Sequence, residues 1–244
     1  MADLSGRVAL VTGSTSGIGL ADADAVDALC AEFRDTYGVP VRFQACDLRK
    51  PAQIETMMAE LNHAYGALDI LVNNAGIQHV SQIEAFPVDK WDDMIAVNLS
   101  ASFHTIRTAL PAMRARNWGR IVNMASISGL RGRAGKTGYN ATKHGLIGLT
   151  KSVALETAQT AITCNAICPG WVRTPLVQKQ IDALAEREGL DNAAATNKLL
   201  GLRQPSGKFV TLEQIAGLCE FFCSPDADEV RGVAWAMDGG TTAA

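Results

Sequence analysis

The chain has 244 residues, 48% of them hydrophobic and 19% charged, with a formal net charge of −3. That composition excludes disordered and fibrous classes and is long enough to bury a real core in one domain. The charge offers no basic surface for nucleic acid or anionic membrane, no apolar run reaches a membrane span, and no stretch reads as a secretory signal, so a soluble cytoplasmic protein is expected.

Residues 7–12 read as a first strand, and "TGSTSGIG" at 12–19 follows it directly. Gly13, Gly17 and Gly19 suit a tight turn whose backbone N–H groups approach a pyrophosphate at a helix N-terminus. After Leu20, "DADAVDALCAEFRDTYGV" reads as a single helix leading to a second candidate strand at 41–46. Further strands are expected at 69–73, 120–126, 162–168 and 233–238, with helical stretches at 89–116 and 139–159 between them. The strands are almost wholly apolar, as buried parallel strands are, and they alternate with helices. The expected architecture is therefore α/β, a Rossmann-type doubly wound parallel sheet in one domain spanning 1–244.

Residues 175–208 break the rhythm with two helices and no strand, which predicts a helical lid over a substrate pocket beyond the carboxyl ends of the strands. The short basic run "RGRAGK" at 131–136 reads as a solvated loop. Six cysteines stand at 30, 46, 164, 168, 219 and 223, and the four histidines, at 63, 79, 104 and 144, lie away from both C-x-x-x-C pairs. Reduced core thiols are expected and no metal site.

Tyr139 and Lys143 are four residues apart on a predicted helix and so share a face. A free tyrosine has a pKa of about 10 and is a poor base at neutral pH. A nearby ammonium, or the positive charge of an oxidised nicotinamide, favours the phenolate and lowers that value. Tyr139 then takes the proton of a substrate alcohol as hydride leaves. Ser126 ends a strand thirteen residues earlier and is placed to hydrogen-bond the same hydroxyl.

"TGSTSGIG", "NNAG" at 73–76, Asn98, Ser126, "YNATK" at 139–143 and "PGWVRT" at 169–174 occur in this order. Together they resemble the short-chain dehydrogenase/reductase family from residue 4 to about 240. The resemblance implies a catalytic tetrad of Asn98, Ser126, Tyr139 and Lys143, with Asn98 in a water-linked relay through Lys143 and Lys143 also holding the nicotinamide ribose. For the cofactor it implies Gly13, Thr15, Ser16, Gly17, Ile18 and Gly19 in the loop, with Asp47 and Leu48 near the adenine. It adds Asn74, Ala75 and Gly76, then Pro169, Gly170, Val172 and Thr174, besides Tyr139 and Lys143. Family members that prefer NADP often carry a basic residue where Ser16 stands, so NAD is the implied cofactor. The family pairs its two long helices across subunits, so a homotetramer is implied.

"NNAGIQH", "ALETA", "NAICPGWVRTPLVQKQI" and "QPSGKFVT" narrow the resemblance to the bacterial D-3-hydroxybutyrate dehydrogenase subfamily. That implies Gln78, Lys136 and Gln180 around a substrate carboxylate, Trp171 bordering the pocket or lid, and Ser126 and Tyr139 at the hydroxyl. Two positions depart from it: Ser128 replaces a histidine that helps bind the carboxylate, and Thr241 replaces a tryptophan. A related 3-hydroxy acid, another ketone reductase substrate, or a homologue that has lost cofactor binding are the competing readings.

The same comparison leaves a gap after Leu20. The family has a helix, a strand and a further helix between the glycine loop and the strand at 41–46, and this chain has room for one helix. The first crossover helix and the second strand are missing, and a crossover with its helix needs at least about a dozen residues. The intact remainder of the motif set favours a stretch omitted from the sequence over a true deletion.

Overall fold

In the computed structural model, which describes residues 3–13, 23–201 and 203–243, five parallel strands form one sheet in the order β1-β2-β3-β4-β5. The strands are β1 (Ala9–Val11), β2 (Ile70–Asn73), β3 (Gly119–Met124), β4 (Ile162–Pro169) and β5 (Ala234–Met237). Helices α1 (Ala23–Tyr37) and α2 (Pro51–Tyr65) lie between β1 and β2. Helices α3 (Val88–Ile95) and α4 (Ala101–Arg116), joined by a π-helical turn at Ala96–Ser100, lead to β3, and α5 (Thr137–Glu156) leads to β4. Between β4 and β5 come α6 (Pro175–Glu188), α7 (Asn192–Gly201) and α8 (Leu212–Cys223).

Side chains alternate across the sheet, so each strand feeds two cores. Leu71 and Ile121 pack with Met58, Met113 and Val153 of α2, α4 and α5. Their neighbours Ile70 and Val122 turn the other way, against Ile215 and Phe222 of α8. Helices thus cover both faces, which is why every residue of β3 and β4 is buried, the polar Arg120, Asn123, Thr163 and Asn165 included. This is the expected Rossmann-type α/β architecture.

The strand expected at 41–46 does not form; the segment is irregular. A strand needs a neighbour to accept its ladder hydrogen bonds, and in the family order the second strand stands between the first and the third. Here β1 pairs with β2 on one side, and no strand lies beyond it among the described residues. Val11 is accordingly 48% exposed, while Cys46 and Leu48 still pack against the core on their own. The segment is pinned instead by Arg34, which donates to the Val41 carbonyl at 2.8 Å, and by Gln53, which accepts from the Asp47 amide at 2.8 Å.

Residues 175–208 form the two helices expected of a lid. The Thr174 hydroxyl caps α6 by accepting from the Val177 amide at 3.3 Å, and Pro175 opens the helix. Ile181, Ala195, Leu199 and Leu200 close around Trp171 as a small core separate from the two beside the sheet. Among the described residues, no helix is long and apolar enough to cross a membrane.

Candidate active site

The carboxyl ends of β1 and β2 are stitched together. The Thr12 hydroxyl accepts from the amides of Asn74 at 3.0 Å and Ala75 at 3.1 Å, and Asn74 Nδ2 donates to the Thr12 carbonyl at 3.0 Å. Gly13 has φ +71°, and a Cβ there would lie 2.5 Å from the Ala75 Cα, so only glycine lets the two loops meet. The remaining loop residues proposed for the cofactor, Thr15, Ser16, Gly17, Ile18 and Gly19, lie outside the described residues.

Asn98 sits in the π-helical turn, an irregularity that often marks a functional position in a helix. It is fully buried. Its Oδ1 accepts from the Ile77 amide at 2.8 Å, and its Nδ2 donates to the Ile77 carbonyl at 2.9 Å and to the Thr142 hydroxyl at 3.2 Å. A Cβ on Gly76 would stand at ordinary contact distance, 3.5 Å, from both Asn98 Oδ1 and Lys143 Nζ, which places both groups beside this backbone.

Ser126 lies two residues past the end of β3, beyond the strand expected to contain it, and caps a 3-10 turn by accepting from the Ser128 amide at 3.1 Å. Tyr139 and Lys143 share one face of α5 as their spacing requires, with Lys143 Nζ 5.5 Å from the phenol ring centroid. Lys143 is buried and donates to the Met124 carbonyl at 2.7 Å. Burial brings its pKa down to about 8, partly opposed by the Cys168 thiol. For Tyr139 the protein's own field runs against the sequence expectation. Burial pushes the phenol above its ordinary value, Ser126 pulls it back through a hydrogen bond, and the Lys143 ammonium is not a leading influence.

On the substrate side Lys136 donates to Gln78 Oε1 at 3.0 Å, and its pKa is brought down to about 8, first by burial and then by Arg133 and Arg203. Trp171 is held by its backbone: its amide donates to Gln204 Oε1 at 2.8 Å. Gln204 is 1% exposed, and a Cβ on Gly170 would come within 2.6 Å of that same oxygen. Gln204 is a positioning residue that the sequence reading missed, although "QPSGKFVT" contains it.

One cavity of about 370 Å³ brings most of the predicted residues together. Gly13, Asn74, Ala75 and Gly76 line one side; Ser126, Tyr139 and Lys143 line the middle; Gln78, Lys136 and Gln180 line the other side. Pro169, Gly170, Trp171, Val172 and Thr174 complete the wall beneath α6. Asn98 lies under this wall. Asp47 and Leu48 do not line the cavity: Leu48 packs against the core, and the Asp47 carboxylate pairs with Arg49 at 2.9 Å, which holds its pKa at about 2.

Two expectations change. Arg133, part of the run read as a solvated loop, is half-buried and lines the cavity. Thr241 is buried away from the cavity, donating to the carbonyls of Asp238 at 2.6 Å and Arg203 at 3.1 Å, so it is not itself a lost substrate contact. Ser128 does stand in the wall, where the resemblance placed it. His144 is exposed on the outer face of α5. Among the described residues, no group of three His, Cys, Asp or Glu side chains is placed to hold a metal ion.

A model of the short chain dehydrogenase family matches residues 21–185. A D-beta-hydroxybutyrate dehydrogenase of Cupriavidus necator is 50% identical over 256 aligned positions, covering 98% of this chain and 99% of that protein. Its namesake in Rhizobium meliloti is 45% identical over 255 positions, covering 97% and 99%. Among solved structures, an actinorhodin polyketide ketoreductase crystallised with NADPH superposes with a TM-score of 0.87 at 33% identity, covering 99% of each chain. The Cupriavidus alignment has more positions than this chain has residues, so part of that relative has no counterpart here.

Proposed function

From the premise that the chain belongs to the short-chain dehydrogenase family, and is thus an oxidoreductase, we propose that it interconverts a short 3-hydroxy acid and its 3-keto acid, D-3-hydroxybutyrate first among them, with NAD as cofactor. The observation that carries this reading is the convergence of Ser126, Tyr139 and Lys143 with Lys136, Gln78 and Gln180 on one cavity. The first set suits a reacting hydroxyl; the second suits a carboxylate.

The residues present fit a dinucleotide. Glycines 13 and 170 stand where a Cβ would collide with Ala75 and with Gln204 and Asp238, and the amides of Ala75 and Asn74 are fixed by Thr12. Gly13, Asn74, Ala75, Gly76, Val172 and Thr174 would hold it, together with Tyr139 and Lys143, with Asp47 and Leu48 assigned to the adenine end. Ser16 carries no charge to meet a 2′-phosphate, which supports NAD over NADP. When bound, the dinucleotide supplies the hydride acceptor.

The chain supplies the proton chemistry. The Tyr139 oxygen takes the proton from the substrate hydroxyl, and the Ser126 hydroxyl holds the same oxygen and orients it. Lys143, anchored on the Met124 carbonyl with its Nζ 5.5 Å from the ring centroid, is a cation beside the phenolate form that accepts this proton and becomes the neutral phenol. Asn98 fixes the Gly76–Ile77 backbone against which these groups are arranged. The lid helix α6 brings Val177 and Gln180 over the cavity and excludes water. A homotetramer is part of the proposal, supported by the exposed Phe103 of α4 and Leu155 of α5, as is a cytoplasmic location.

NADH formation from D-3-hydroxybutyrate and NAD, measured beside NADP and the L-isomer, tests the reading. Turnover with the D-isomer and NAD alone is expected; none with any pairing overturns it. Binding of the unreactive acid butyrate gives a second check. Lys136 is charged below about pH 8 and neutral above it, so the affinity for butyrate falls as pH rises through that value. The dissociation constant rises by up to about tenfold per pH unit beyond it, and in Lys136→Met the same titration is weak and flat.

A further inference from the structure

Three cations gather on the substrate side with no carboxylate set against them. Arg133 and Lys136 line the cavity, and no aspartate or glutamate among the described residues does. Arg203 stands behind Trp171, its guanidinium carbon 4.9 Å from the indole centroid, and that of Arg133 is 5.6 Å from the same ring. Among the described residues none of the three forms an ion pair. Lys136 has the Gln78 amide oxygen as its partner, whereas the two guanidinium groups have only the indole face.

Their charges press on one another. Arg133 is pulled below its ordinary pKa first by burial, then by Arg203 and Arg131, and no acid opposes the shift. Arg7 and Arg116, by contrast, are paired on Asp69, and the partly buried Arg231 spends its guanidinium on the carbonyls of Thr157, Thr160 and Ile162. Partly buried charge is costly without a partner, and a ligand is the remaining source of one. The two lining cations also mark two positions. Lys136 is tied to Gln78, and Arg133 stands beside Trp171. One substrate carboxylate at Lys136 leaves Arg133 uncompensated.

We infer that Arg133 is a substrate-binding residue, and that the cavity selects a 3-hydroxy acid carrying a second carboxylate on the carbon that is the methyl group of 3-hydroxybutyrate. The inference rests on the reading of the cavity as a 3-hydroxy acid site. Hydride and proton leave the same carbinol carbon and oxygen in either substrate, so the chemistry is unchanged and only the recognition is extended.

The test compares glutarate with butyrate in equilibrium binding, and 3-hydroxyglutarate with 3-hydroxybutyrate in turnover, on the wild type, Arg133→Gln and Arg133→Lys. A charge-assisted hydrogen bond to a carboxylate corresponds to about a tenfold change in affinity or more. The wild type is expected to hold glutarate at least about tenfold more tightly than butyrate, Arg133→Gln to lose that ratio, and Arg133→Lys to restore part of it. Glutarate bound no more tightly than butyrate overturns the inference, and so does an Arg133→Gln variant that weakens both acids equally. Binding needs no turnover, so a protein that oxidises neither hydroxy acid but keeps the Arg133-dependent preference refutes the proposed reaction and not the anion site. Unaltered melting of the variants confirms that the fold is intact.

Discussion

Tyr139→Phe leaves the fold intact and removes turnover of the 3-hydroxy acid by two to four orders of magnitude, the usual contribution of a positioned acid–base group. The substitution deletes one oxygen and keeps the ring. That ring is the part that packs on α5, with the Lys136 ammonium 5.8 Å and the Lys143 ammonium 5.5 Å from its centroid. Its hydroxyl is bonded to Ser126, which retains a second partner in the Ser128 amide. Nothing structural is therefore orphaned, and the melting temperature is expected to stay at the wild-type value. The loss falls on kcat. Because burial pushes the phenol above its ordinary value, wild-type oxidation is expected to accelerate with rising pH across the neutral range, and the residual activity of the phenylalanine variant to lack that dependence. Steady-state rates against pH for both proteins, with thermal melts alongside, decide it; a variant that turns over like the wild type removes Tyr139 from the mechanism.

The direction of that shift shows where reading the sequence stops. The four-residue spacing of Tyr139 and Lys143 placed both on one helix face, and the alternation of apolar strands with amphipathic helices was enough to recover a parallel sheet covered on both sides. Both are periodic signals, and periodicity survives in one dimension. The pKa of a phenol depends on what surrounds it in three. The desolvation by β3, β4 and the cavity wall is not written in the residues adjacent to Tyr139. Arg133 was missed for a related reason: "RGRAGK" has the composition of a solvated loop, and only the fold turns one of its arginines against Trp171 while leaving Arg131 to donate to the Thr241 carbonyl at 2.7 Å. The segment at 41–46 has the residues of a strand and lacks the neighbour, since pairing is a property of two segments and propensity of one. The gap after Leu20 was visible in the sequence itself; that β1 would be short and lie at the sheet edge among the described residues was not.

Asn98→Ala is expected to cost stability as well as activity. Family resemblance gives Asn98 a relay role, and the structure gives its side chain a second task. Oδ1 and Nδ2 close a pair of hydrogen bonds on the amide and carbonyl of Ile77, and Nδ2 also reaches the Thr142 hydroxyl on α5, one residue before Lys143. Alanine leaves both Ile77 groups without these partners beneath a fully buried position. These two part-buried hydrogen bonds, made to a residue that is itself 41% exposed, contribute about 0.5–1.5 kcal/mol each, so a loss of about 1–3 kcal/mol is expected in chemical denaturation. Asn98→Asp is the sharper variant. Its carboxylate still accepts from the Ile77 amide but turns an oxygen toward the Ile77 carbonyl, replacing an attraction with a repulsion at 2.9 Å. The kinetic signature follows from what Ile77 precedes. Gln78 is the next residue, and it holds Lys136. If Asn98 acts by fixing this loop, both variants raise the dissociation constant of butyrate as well as lowering kcat. A relay role alone leaves butyrate binding untouched and confines the defect to kcat. Denaturation curves together with butyrate titrations of the two variants separate the loop from the relay.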